Sequence, residues 1–217
     1  MVIGVTHIVI LSLLLSPCLF MSLTIDLAFA QSRIVSQSIN YDTFSIYKNA
    51  QYGFEMQYPS NWQKVEFGNG IEQSGRNIVI NFISPTEGNM DIFQEYLIIE
   101  IGNLQPQQKL IFSSPSSILS QYVDQQIGDY KKSFQGFQLI ESSPSNKTDN
   151  NSILHGYSPS SKVVYTYDDL SAGKIKIMEL YFLNKGKIYF MSFHSQLTSY
   201  MKYLPTIQKM IDSFHIT

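Results

Sequence analysis

Thiols are nearly missing from this chain: Cys18 is its only cysteine, and it lies in an apolar N-terminal stretch. Once that stretch is removed, the remainder has no disulfide and no cysteine ligand for a metal, so its fold must be held by an apolar core. Charge is scarce as well, with 15% Asp, Glu, Lys and Arg and a net charge of −2, which argues against a polyanionic partner and hence against nucleic acid. Lys and Arg are absent through residue 30. The chain has no Gly-x-Ser-x-Gly elbow, no glycine-rich loop opening into a Lys-Ser/Thr pair, and no two histidines one helical turn apart. The common signatures of hydrolase, nucleotide and zinc chemistry are therefore lacking. Tryptophan occurs once, as Trp62.

The N-terminal stretch contains an aliphatic run from Ile8 to Leu15, an interruption at Ser16-Pro17-Cys18, and Ala28-Phe29-Ala30 before Gln31. An apolar core followed by a small-x-small site is the pattern of a secretory signal peptide. The expected organisation is a cleaved leader over 1–30, a polar spacer over 31–50 and one folded domain over 51–217. The rival is an uncleaved membrane tether through 1–30, because Val2 to Phe29 can cross a bilayer of roughly 30 Å at about 1.5 Å per residue. Asp26 and Pro17 count against that rival, and Pro17 also fits lipidation of Cys18 poorly. Either way the body is exported, secreted or held at the outer face of a membrane. Glycosylation triplets beginning at Asn146 and Asn150 fall in one polar loop and agree with export.

Gly53 to Trp62 is the clearest local signal. Phe54, Met56 and Tyr58 share one parity while Glu55 and Gln57 take the other, which is the pattern of a half-buried strand. Pro59 lacks an N–H for a central ladder, so the strand ends or lies at an edge there, and the following turn returns Trp62 to the core. Further strands are expected at Gln63–Phe67, Asn77–Ile83, Glu95–Ile101, Phe137–Glu141, Ile153–Tyr157, Lys162–Tyr167, Ile175–Leu183 and Lys187–His194. Asp168–Gly173 and Asn184–Gly186 read as hairpin turns. Three- and four-residue spacing predicts helices over Pro115–Phe134 and Thr198–Phe214, the second containing Pro205 as a local flaw. Strands joined by short turns pair antiparallel, and two amphipathic helices must cover the sheet's apolar faces. The fold class is α+β.

The chain resembles the PsbP-like family, which shares its fold with the Mog1 proteins. The resemblance rests on Gly53-Phe54 leading into Tyr58-Pro59-Ser60-Asn61-Trp62, on the hairpin series ending in Gly186-Lys187-Ile188-Tyr189-Phe190, and on the helix from Tyr203 to Phe214. It implies an α/β/α sandwich with a central antiparallel sheet flanked by helices. It also implies a non-enzymatic extrinsic subunit, assembly factor or binding module, the best known of which serve photosystem II. An export leader in place of an organelle transit peptide, and only Arg33 and Lys48 as basic residues near the mature start, point away from photosystem binding. An exported prokaryotic relative is expected, with an archaeal host among the candidates.

Candidates for chemistry are few. Sheet pairing could bring His155 and His194 together with Asp168 as metal ligands, and Asp168-Asp169 with Asp149 could attract calcium. The simpler reading is isolated histidines and a solvated hairpin turn. Tyr157, Tyr165, Tyr167, Tyr181 and Tyr189 either wall a ligand site or pack beneath the helices with hydroxyls at the rim, and the second reading is preferred. The leading expectation is a domain without cofactor, metal or catalysis that binds a protein partner or membrane complex. The alternatives are a small-molecule receptor with its pocket between the sheet and the Pro115–Phe134 helix, and a metal-dependent hydrolase using His155 or His194.

Overall fold

The computed structural model describes residues 43–73, 76–104, 114–145, 157 and 159–217. Its strands are β1 (Phe44–Asn49), β2 (Phe54–Pro59), β3 (Gln63–Gln73), β4 (Arg76–Ile83) and β5 (Tyr96–Asn103), followed by helix α1 (Pro115–Ser133). Then come β6 (Gln138–Ser145), β7 (Ser160–Asp169), β8 (Gly173–Asn184), β9 (Lys187–Gln196), helix α2 (Tyr200–Asp212) and the short β10 (His215–Ile216). Seven strands form an antiparallel sheet in the order β3-β4-β5-β9-β8-β7-β6, and three form a small antiparallel sheet in the order β1-β2-β10.

Side-chain alternation assigns the two faces of the large sheet. On one face Phe82, Leu97, Ile99, Met178, Leu180, Phe182, Met191 and Phe193 meet Tyr203, Ile207, Met210 and Ile211 of α2, together with Phe54 and Met56 of β2. On the other, Val163, Tyr165, Ile175, Ile177, Tyr181, Ile188 and Phe190 meet Leu119, Val123 and Ile127 of α1. Each fully buried aliphatic or phenyl side chain contributes about 1.5–3 kcal/mol, so the two apolar faces hold the layers together without cross-links.

Local chemistry explains the element ends. Ser114 caps α1, its hydroxyl accepting from the Ser117 N–H at 3.2 Å, and Pro115 follows where a missing N–H costs nothing. Lys131 and Lys132 sit at the negative end of the helix dipole. Between β8 and β9, Lys185 and Gly186 both have positive φ, the geometry of a tight primed hairpin turn. Helix α2 runs through Pro205 without interruption.

Several expectations are corrected. The 31–50 stretch is not all spacer: Phe44–Asn49 is a strand in register with β2, so the folded body begins before residue 51. Its polar side chains concealed it, because β1 is an edge strand with only Tyr47 buried. The Phe54–Pro59 strand joins β1 and β10 in the small sheet, with Phe54 and Met56 packed into the α2-side core. Most of the expected strand at Ile153–Tyr157 lies outside the described residues, and Tyr157 itself is not in a strand.

Candidate functional site

Two regions carry polar groups in positions that need explaining. The first lies beneath α1, on the sheet face formed by odd-numbered residues of β7 and β8. Glu179 occupies the apolar parity of β8, between Ile177 and Tyr181, and is only 2% exposed. Tyr165 donates to one of its carboxyl oxygens at 2.9 Å and Tyr181 donates to the other. Tyr130 of α1 closes on the same carboxyl from the helix side. Burial pushes the Glu179 carboxyl up to about 7, while the three phenols and Arg76 act in the opposite direction. The Tyr165, Tyr181 and Tyr130 hydroxyls are in turn driven upward by burial and by the carboxyl, so they remain neutral donors.

On the same face Arg76 of β4 pairs with Glu100 of β5 at 2.8 Å, both side chains being buried. The guanidinium lies 4.2 Å from the Phe190 ring centroid and 5.9 Å from that of Tyr122. Burial raises the Glu100 carboxyl and Arg76 partly pulls it back. Toward the sheet end, His194 stacks on Tyr96 with ring centroids 4.5 Å apart, and its Nε2 is 2.7 Å from the Ser192 hydroxyl. Burial holds the imidazole well below its usual range, hence neutral.

The second region is the end of the large sheet where the β4–β5 loop, the β7–β8 hairpin and the β9–α2 connection meet. The loop is braced internally: Asp91 accepts from the N–H groups of Glu87 at 2.8 Å and Phe93 at 3.1 Å, and its own N–H donates to the Gly88 carbonyl. It is also pinned to α2, since Glu87 receives Lys202 at 2.5 Å and the Tyr203 hydroxyl. The hairpin is tied to the β9–α2 connection by the Leu197 N–H to the Lys174 carbonyl and by Gln196 to the Ala172 carbonyl. Upon this ordered frame stand Met90 at 91%, Leu170 at 97% and Met201 at 70% exposure, with Ile92 and Leu197 also exposed. Beside them an open cleft of about 400 Å³ is walled by Glu87, Asp91 and Glu95 and by Met90 and Phe93.

The predicted site residues disperse. Asp168 pairs with Lys174 at 2.6 Å, and Asp169 accepts from the N–H groups of Ser171 and Ala172, both at 2.8 Å, closing the hairpin turn. His194 faces Tyr96 and Ser192, not these aspartates. His155, Asp149, Asn146 and Asn150 lie outside the described residues. Among the described residues no three His, Cys, Asp or Glu side chains gather as metal ligands. The five tyrosines split: Tyr157 and Tyr189 pack with Phe182 and Phe214 on the α2 side, while Tyr165, Tyr167 and Tyr181 lie on the α1 side. Tyr165 and Tyr181 turn their hydroxyls inward to Glu179, not to the rim as expected. Among the described residues Leu119, Val123 and Ile127 of α1 pack directly on Val163, Tyr165 and Tyr181, and a groove at the helix edge, lined by Leu119, Val123 and Ser161, measures about 70 Å³. That is room for about two waters at roughly 30 Å³ each. Glu179 is not among the residues the motifs single out, yet its signal is present in the sequence, as a lone acid on the apolar parity of a strand.

Gly53, Phe54, Tyr58, Pro59 and Trp62 form a structural unit. Gly53 takes φ of +65°, Phe54 and Trp62 are buried, and the Trp62 N–H donates to the Pro59 carbonyl at 2.9 Å. No helix of the described residues is long and apolar enough to cross a membrane.

An antiparallel sheet with one helix on each face, a small polar cluster buried under one helix and several exposed apolar residues at one sheet end, defines an α+β sandwich. The chain belongs to the PsbP family, whose family model matches residues 42–216. It is similar to cyanobacterial PsbP (CyanoP) from Synechocystis sp. PCC 6803, with 14% identity and a TM-score of 0.55 over 81% of this chain and 93% of that one. It is also similar to LpqN of Mycobacterium tuberculosis, described as involved in cell envelope biogenesis, with 12% identity and a TM-score of 0.53 over 81% and 91%. At these identities the likeness concerns the fold. No curated protein matches the chain in sequence.

Proposed function

We propose that this chain is an exported PsbP-family domain that acts without catalysis, binding a protein partner or helping to assemble a complex at the outer face of a membrane. The observation that carries this reading is the braced loop end, where Met90 and Leu170 stand almost fully exposed and Met201 largely so, on backbone that is already ordered. Soluble proteins rarely keep such residues together without a binding use, and a pre-ordered loop spares the entropy of docking. Glu87, Asp91 and Glu95 beside them suit a partner segment with apolar anchors flanked by lysine or arginine. The leader-like N-terminus and the envelope role printed for LpqN support an extracytoplasmic setting.

The test is a pull-down of the tagged protein from its native membrane fraction, run beside a triple Met90→Ser, Leu170→Ser, Met201→Ser variant. These side chains are exposed, so stability should stay within about 0.5 kcal/mol per site. A partner retained by the folded triple variant would refute the placement. A stoichiometric metal in the purified protein, lost on His155→Ala or His194→Ala, would instead favour the hydrolase reading.

A further inference from the structure

We propose that helix α1 is a proton-controlled cover on the sheet, held down while Glu179 carries a proton and loosened when that proton leaves. The two faces of the large sheet are built differently. The α2 face is apolar apart from a few small hydroxyls and one carboxyl at its rim, Glu95 beside Ser195 and Ser199, whereas the α1 face buries Arg76, Glu100 and Glu179 together with Tyr122, Tyr130, Tyr165 and Tyr181 beneath the helix itself. Charge counting then sets the state of this interior. Among the described residues Arg76 is the cation that acts on Glu179, and it is already paired with Glu100 at 2.8 Å. With Glu179 neutral the layer is neutral, and with Glu179 ionised one negative charge lies uncompensated under the helix.

The groups facing Glu179 come from several neighbouring elements: Arg76 from β4, Tyr165 from β7, Tyr181 from β8, and Tyr122 and Tyr130 from α1, with Glu100 of β5 behind Arg76 as its ion-pair partner. Ser192 of β9 is its ladder partner, and His194 beyond it is held neutral by burial. Tyr165 and Tyr181 belong to the sheet and Tyr130 to the helix, so the carboxyl is the junction between the two layers. Water can reach an ionised Glu179 most cheaply by lifting the less firmly seated layer. That layer is α1, which buries four of its 19 residues, against six of 13 in α2.

Burial pushes the covered carboxyl up to about 7, and opening to water returns it toward the ordinary 4.5. The open form therefore binds fewer protons between these values, and rising pH favours it. From pH 5.5 to pH 8.5 this linkage multiplies the open population about thirtyfold. The reading concerns the protein alone and does not depend on a binding partner.

Hydrogen exchange followed by mass spectrometry on the full chain at pH 5.5 and 8.5, corrected for the intrinsic pH dependence of exchange, provides the test. In the wild type, amides of α1 should lose about thirtyfold in protection while those of β8 and α2 change far less. Glu179→Gln should abolish the loss, because the amide stays neutral. Glu100→Gln should abolish it too, since Arg76 is then free to neutralise an ionised Glu179. The proposal is overturned if wild-type α1 keeps its protection at pH 8.5, if Glu179→Gln loses as much, or if α2 and β8 open in step with α1. Should neither variant fold, the wild-type comparison of α1 with α2 decides alone.

Discussion

Replacing Trp62 by alanine tests how the small sheet, the large sheet and α2 are joined. The indole is 4% exposed and meets the ring of Tyr203 edge-on, with centroids 6.1 Å apart. Tyr203 is itself fully buried in the α2 core, so truncation opens space between the β2–β3 turn and the helix. Loss of the buried ring and the residual cavity cost about 3–5 kcal/mol. For a body of this size each kcal/mol lowers the melting temperature by roughly 2–4 °C, which gives a fall of about 6–20 °C. Trp62→Phe retains one ring against Tyr203 and should lose about half as much. The assay is thermal unfolding followed by far-ultraviolet circular dichroism, because the alanine variant has no indole to report by fluorescence. A cooperative melt within about 3 °C of wild type would refute the idea that Trp62 anchors these layers.

Two further outcomes concern titration and backbone geometry. Burial lowers the His194 pKa below that of the unfolded chain, so its contribution to stability is full above about pH 6.5 and fades as pH falls. Its partial exposure limits the effect to about 1–2 kcal/mol, and His194→Asn should flatten the acid limb of a urea-stability profile by that amount. An unchanged acid limb would show that the ring is solvated. Gly136 takes φ of +63°, and a Cβ there would stand 1.9 Å from the Asp168 carboxylate, pushing it off Lys174. Gly136→Ala should therefore destabilise by about 1–3 kcal/mol. Gly128→Ala, in open space on α1, should stabilise by about 0.5–1 kcal/mol, and chemical denaturation of both checks the contrast.

Much of the architecture is written in short-range pattern. The parity of Phe54, Met56 and Tyr58 announces β2, the Ser114-Pro115 start announces α1, and Asn184-Lys185-Gly186 announces the β8–β9 turn. β1 escaped because an edge strand with one buried side chain has no apolar alternation to display. The polar layer under α1 escaped for a related cause. Glu179 and Glu100 each sit on an apolar parity, but their partners, Tyr130 and Arg76, are distant in the chain. The Asp168–Gly173 hairpin is legible in the sequence, yet nothing local says that it shares one end of the sheet with the β4–β5 loop.

Residue order along the chain is enough to say that this is an α+β domain, with antiparallel hairpins, two amphipathic helices and a tryptophan turned inward, because period and turn chemistry act over a few residues. Which strands become neighbours is settled by contacts between distant segments. The pairing of Tyr96 with His194 across β5 and β9, the setting apart of β1, β2 and β10, and the closing of three tyrosines on one carboxyl all follow from burying apolar area on both sheet faces at once. That requirement belongs to the assembled layers, and no window of sequence contains it.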